Sequence, residues 1–226
     1  MCGRYVLHVS LSEITEEFEI YDVDLVWVPN FNIAPGNNIP AVVNDNQNKL
    51  SAFHWGLIPS WSKDQNVGFR MINARAETLA QKPSFSRILK TQRCIIPASG
   101  FYEWHTDEEK KTKIPFYFHL KSDRLMGFAG LYDLWRSPSG KIIKSCTIIT
   151  TTANELVGQY HNRMPVILEP EKRKIWLDRK VDNPADLLPL LKPFSSKEIE
   201  AYEVSKMVNS PKINTPDCIK PKRDSA

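Results

Sequence analysis

Hydrophobic and polar positions alternate at the start of the chain, in "CGRYVLHV", which predicts a first strand over 2–9. "SLSEITEEF" follows with Ser10 and Glu13 at capping-box spacing and Leu11, Ile14 and Phe18 on one helical face. "NIAPG" reads as a turn. "IPAVVN" and "KLSAFHW", separated by the polar "DNQN", predict a hairpin, and "GLIPSWSKDQNVGF" predicts a long loop carrying Trp61. After "INARAET", Phe85, Ile88 and Leu89 share a face of a predicted helix in "PSFSRILKTQ". Five strand-like segments then follow in a row: "RCIIPA", "GFYEWH", "IPFYFHL", "LMGFAGL" and "KIIKSCTIITTTA". "PEKRKIWLD" and "NPADLLPLL" predict two short helices, and "IEAYEVS" a late strand before a Pro-rich ending. Consecutive strands with short helices at their margins predict an α+β fold, with curved antiparallel sheets forming an open, barrel-like core.

Composition narrows this picture. A chain of 226 residues, 42% hydrophobic and 25% charged, is expected to form a single domain with its core over about 2–218 and a short basic tail over 219–226. No apolar run is long enough to span a bilayer and no secretory leader is evident, so a cytoplasmic protein that uses no membrane is expected. The four cysteines, Cys2, Cys94, Cys146 and Cys218, form no CxxC pair, which argues against a zinc site or a redox motif and predicts free thiols. No metal or cofactor is expected. A net charge of +4 is compatible with a polyanionic partner and by itself says little more.

The chemistry-bearing positions are few. Cys2 lies directly behind Met1; if Met1 is removed, an α-amine and a thiol stand on adjacent carbons, both partly nucleophilic near neutral pH. The alternative is a small semi-buried residue opening a strand. Glu103 sits between Tyr102 and Trp104, where burial would raise its pKa and suit it to proton transfer, unless it points to water from an edge strand. His161 in "YHNRMPV" is either an acid or base or a hydrogen-bonded loop histidine. Asn73 and Arg75 would face the same way in an extended segment and suit a phosphate or a sugar oxygen, or else tie down a loop. Arg4 shares strand parity with Cys2 and is a candidate phosphate ligand. Trp61 is a candidate stacking residue, or part of a satellite hydrophobic cluster. GxSxG, HExxH and P-loop motifs are absent.

"MCGRY", "NIAPG", "WGLIPSW", "INARAET", "GFYEW", "HNRMPV" and "VNSPKINTPDC" occur in the order and approximate spacing of the SRAP family, which the chain resembles from Cys2 to about Cys218. The resemblance implies covalent capture of abasic sites in single-stranded DNA through a thiazolidine formed by Cys2 after removal of Met1. It implies that Asn73 holds the opened sugar and the N-terminus, that Glu103 moves protons at the amine, and that His161 acts on the sugar oxygen. Arg4 and Arg75 match phosphate-gripping positions, and Pro35 and Trp61 match a wedge that splits the DNA stack. Lyase and self-processing peptidase activities are also associated with the family. A monomer is expected. The residues alone leave open two other readings, an N-terminal-nucleophile amidohydrolase using Cys2, His161 and Glu103, and a non-catalytic single-strand binder.

Overall fold

The computed structural model describes residues 2–109 and 111–222. Thirteen strands are present among them: β1 (Tyr5–Leu7), β2 (Asp22–Asp24), β3 (Asn30–Ile33), β4 (Asn38–Asp45), β5 (Gln47–Trp55), β6 (Asn73–Arg75), β7 (Arg93–Ala98), β8 (Gly100–Asp107), β9 (Thr112–Leu120), β10 (Met126–Arg136), β11 (Ile142–Thr152), β12 (Arg163–Pro165) and β13 (Ile199–Glu203). Four α-helices accompany them: α1 (Leu11–Glu17), α2 (Pro83–Thr91), α3 (Pro170–Leu177) and α4 (Pro184–Leu187).

One sheet is antiparallel in the order β13-β9-β8-β1-β3. The other runs β12-β11-β10-β7-β4-β5-β2, and a parallel contact between β5 and β11 joins Ser145 to His54 and Cys146 to Trp55. That contact closes β5, β4, β7, β10 and β11 into a ring, so the expected barrel-like core is present and is a closed barrel of five strands. The α+β class holds.

Local chemistry explains most elements. Ser10 and Glu13 form the complete capping box that starts α1. The β4–β5 hairpin turns at Asn46, whose φ of +69° suits a residue that tolerates the left-handed region. Phe85, Ile88 and Leu89 are buried along α2, as their spacing predicts. The first strand is shorter than the alternation suggests, and Tyr5, Val6 and Leu7 are all buried, because β1 lies inside its sheet between β3 and β8. Trp55 fills the interior at the barrel closure, edge-on to Tyr5 at 5.4 Å and donating Nε1–H to the Ile72 carbonyl at 2.9 Å.

The long loop leaves β5 at Gly56 and returns before β6. Gly56 has φ +140° and lies against Gly68, where a Cβ would meet the Gly68 carbonyl oxygen at 2.8 Å. Only glycine permits this conformation and this approach, which pinches the loop shut at its base. At the other end of the chain, Pro221 bridges to Val204, so residues 221–222 of the predicted tail pack beside β13, while 223–226 lie outside the described residues, as does Met1. No helix among the described residues is long and apolar enough to cross a membrane.

Candidate functional site

Cys2 precedes β1 and is completely buried. Hydrogen bonds from neighbouring strands fix its surroundings. Tyr102 donates its backbone N–H to the Arg4 carbonyl at 3.0 Å, which extends the β1–β8 pairing toward the N-terminus and brings β8 alongside Cys2. Asn73 on β6 donates from Nδ2 to the Cys2 carbonyl at 2.9 Å. Its Oδ1 is buried without a partner among the described residues. Burial pushes the Cys2 thiol up, and the Glu103 charge adds to that effect.

Glu103 lies on β8 and is 3% exposed. Burial raises its carboxyl above the usual range, and the charge of His161 opposes that rise. The two side chains line one cavity of about 460 Å³ together with Trp104, Lys113 and Asn209. A second cavity of about 510 Å³ is lined by His161, Arg75, Thr152, Asn162 and Arg163, so His161 stands on the wall between the two. Cys2, Asn73, Glu103 and His161, scattered over the first 161 positions, are therefore brought together, with Arg75 in the adjoining cavity.

β11 explains how. Its C-terminal part pairs with β12 along one edge and, in parallel, with β6 along the other: Thr150 lies opposite both Pro165 and Arg75. Asn73 and Arg75 thus flank the same strand end as the segment that follows His161. Ala74 between them is buried, as expected for an alternating extended segment.

The remaining predicted residues occupy different settings. Arg4 is half-buried; its Nη1 donates to Asn32 Oδ1 and to the Val208 carbonyl, both at 2.7 Å, and its guanidinium lies 5.8 Å from the Trp104 ring centre. Arg4 therefore ties β1 to the C-terminal segment beside the Glu103 cavity. Pro35 sits half-buried in the turn between β3 and β4, next to Gly36, whose N–H bonds the Trp55 carbonyl at 2.9 Å. Trp61 is 64% exposed in the long loop between β5 and β6. That loop is fastened from below: Ser60 N–H donates to Asp133 Oδ2 at 2.9 Å and Trp135 Nε1–H to the Ser62 carbonyl at 2.7 Å.

Two residues of this region escape a reading of the sequence. Phe69 is exposed in the same loop as Trp61, and its only sequence signal is an aromatic in the polar run "DQNVGFR". Asn209 accepts from Trp104 Nε1 at 2.7 Å and joins the C-terminal segment to the Glu103 cavity, a long-range contact that no local pattern announces. Among the described residues no group of three or more His, Cys, Asp or Glu side chains gathers as metal ligands. All four cysteines are free and buried.

Comparison with known proteins places this arrangement. The model of the family described as SOS response associated peptidase (SRAP) matches residues 1–211. The abasic site processing protein YoqW of Bacillus subtilis is 49% identical over 222 residues, covering 97% of this chain and 99% of that protein. The abasic site processing protein HMCES of Xenopus tropicalis is 30% identical over 223 residues, covering 85% of this chain and 66% of the relative. A crystal structure of a Bacteroides thetaiotaomicron protein superposes with a TM-score of 0.89 at 26% identity, covering 98% of this chain and all of that one. With a family match over nearly its whole length and relatives of this similarity, the chain belongs to the SRAP family.

Proposed function

We propose that the protein processes abasic sites in single-stranded DNA, and that it does so by forming a covalent thiazolidine through Cys2 once Met1 has been removed. The observation that carries this reading is the convergence of Asn73, Glu103 and His161 on a buried cysteine one residue from the start of the chain. The relatives' description as abasic site processing proteins points the same way.

The chemistry follows from the environments. An abasic deoxyribose opens to an aldehyde. Burial keeps the Cys2 thiol protonated near neutral pH, so the α-amine is the first nucleophile. It adds to the aldehyde carbon to give a carbinolamine, which loses hydroxide as water when a proton is supplied, leaving an imine. Glu103, raised by burial, is suited to carry that proton. The thiol then adds to the imine carbon; its proton passes to the nitrogen and the new S–C bond closes a five-membered ring. Aldehyde and aminothiol thus become thiazolidine and one water. Asn73 holds the Cys2 carbonyl, and its unpartnered Oδ1 is suited to accept from the freed amine. His161 acts on the sugar oxygen.

Arg75 and Arg4 are the proposed phosphate ligands, Arg75 being the more open to solvent. Pro35 and Trp61 are the proposed wedge. A site without a base costs less to extrude than the few kcal/mol typical of an intact nucleotide, which favours the lesion over undamaged DNA. The imine also permits β-elimination, so strand cleavage belongs to the proposal as a secondary activity; self-removal of the leading residue, a peptide-bond hydrolysis, is proposed on the family resemblance alone.

The experiment mixes protein of verified N-terminal Cys2 with a single-stranded oligonucleotide carrying one abasic site, and with an intact control, on a denaturing gel with mass spectrometry. An adduct lighter than the sum of its parts by one water, dependent on the lesion and lost in Cys2→Ala and in protein retaining Met1, is expected. No adduct from verified protein would overturn the covalent reading.

A further inference from the structure

The ring of His161 is held by a backbone group. The Arg163 amide N–H donates to Nδ1 at 2.9 Å. An amide hydrogen lies in the peptide plane and does not rotate, so this bond has one direction: Nδ1 offers its lone pair. The Arg163 carbonyl also approaches Nδ1, at 3.2 Å. A proton on Nδ1 aimed at that oxygen would confront the amide hydrogen across the shorter contact. The neutral ring therefore carries its proton on Nε2.

Arg163 is in turn fixed from two sides. Its backbone pairs with Thr152 at the end of β11. Its guanidinium grips Glu77 in a fork, Nη1 to Oε1 at 2.7 Å and Nη2 to Oε2 at 2.9 Å, while Nη2 also reaches the Thr150 carbonyl at 2.6 Å. Only 13% of the Arg163 side chain is exposed, and bonding to it holds the Glu77 carboxyl below the usual range. Glu77 follows β6, the strand that carries Asn73 and Arg75. One ion pair thus crosses the end of β11 and joins the strand of Asn73 to the residue whose amide orients His161.

We propose that Glu77 is a positioning residue which, through Arg163, fixes His161 as the Nε2–H tautomer, so that the resting ring presents a hydrogen-bond donor, not a base, at Nε2. Under the function proposed above, the sugar oxygen would then meet an N–H. The assignment of a role in capture rests on that function; the tautomer does not.

The test is a two-bond proton–nitrogen NMR correlation on 15N-histidine-labelled full-length protein at pH 8 without DNA, with the His161 signals assigned by their loss in His161→Gln. The wild type is expected to show Nδ1 unprotonated and Nε2 protonated. Glu77→Gln is expected to mix the tautomers and to slow adduct formation roughly 10- to 100-fold, whereas Glu77→Asp keeps the wild-type pattern and most of the rate. A wild-type ring protonated at Nδ1 overturns the proposal without any variant having to fold. An unchanged tautomer in a folded Glu77→Gln protein, judged by its melting curve, removes Glu77 from the role. Failure of wild-type protein to form an adduct while the tautomer is as stated counts against the proposed function alone.

Discussion

Glu103 and Asp133 are equally hidden, each 3% exposed, and they do different work. Asp133 on β10 accepts four hydrogen bonds: from Ser60 N–H at 2.9 Å, Arg87 Nη2 at 2.8 Å, Gln92 Nε2 at 3.2 Å and its neighbour Leu134 N–H at 2.9 Å. Those bonds replace water, and the result is a rigid anchor for the loop that displays Trp61. Glu103 is set between Tyr102 and Trp104 and opens on a cavity shared with His161, where burial raises its carboxyl. The difference teaches how to read a buried acid. A buried carboxylate whose donors fasten a loop is part of the scaffold, whereas one whose pKa burial raises at the wall of a cavity is equipped for proton transfer.

The comparison is broken most severely at Glu103. Glu103→Gln keeps the shape and removes the titratable proton, so adduct formation is expected to slow by about 100-fold or more, read on denaturing gels. The same variant has a stability signature. Burial raises the Glu103 pKa, so the folded protein binds that proton more tightly than the unfolded chain does. The wild type therefore loses this contribution as pH rises above the ordinary carboxylate range, and the glutamine, which does not ionise, loses nothing. Melting curves from pH 4 to pH 8 should show Glu103→Gln matching the wild type at the acid end and gaining on it toward pH 8; parallel curves would count against a raised carboxyl.

Asp133→Ala sharpens the contrast from the other side. It removes the acceptor from the Ser60 and Leu134 backbone N–H groups, the Gln92 amide and the Arg87 guanidinium, and because these donors are only partly buried the expected cost is about 1–3 kcal/mol in denaturant unfolding. The rate of capture by the protein that remains folded should change far less than in Glu103→Gln. A variant as stable as the wild type would show that water replaces the lost carboxylate.

Trp61→Ala is the mildest change. A side chain 64% exposed contributes little to the core, so the melting temperature should stay put. Affinity for single-stranded DNA should fall by about 1–3 kcal/mol, the worth of one stacked base, in a fluorescence titration at fixed salt. Unaltered affinity would return Trp61 to the status of a surface residue.

Several elements are legible in the chain because their causes are local. The capping box at Ser10 and Glu13 starts α1, the apolar face of Phe85, Ile88 and Leu89 marks α2, and β-branched and aromatic runs mark β7 to β11. The motifs around Cys2, Asn73, Glu103 and His161 are likewise visible as residue types in order. Their meeting is not. It depends on the parallel register of β6 on β11, which sets Arg75 against Thr150, and on the β8 contact that places Glu103 near Cys2.

Periodicity and turn chemistry act over a few residues, and so they suffice for strands, helices and the α+β class. Parallel pairings such as β5 with β11, which closes the barrel, join segments about ninety positions apart, and no local pattern names the partner. The same holds for the environments. Tyr102 and Trp104 flank Glu103 in the chain and hint at poor hydration, but its burial, the cover over Cys2 and the grip of Glu77 on Arg163 arise only when distant strands pack, because desolvation and charge pairing depend on neighbours in space.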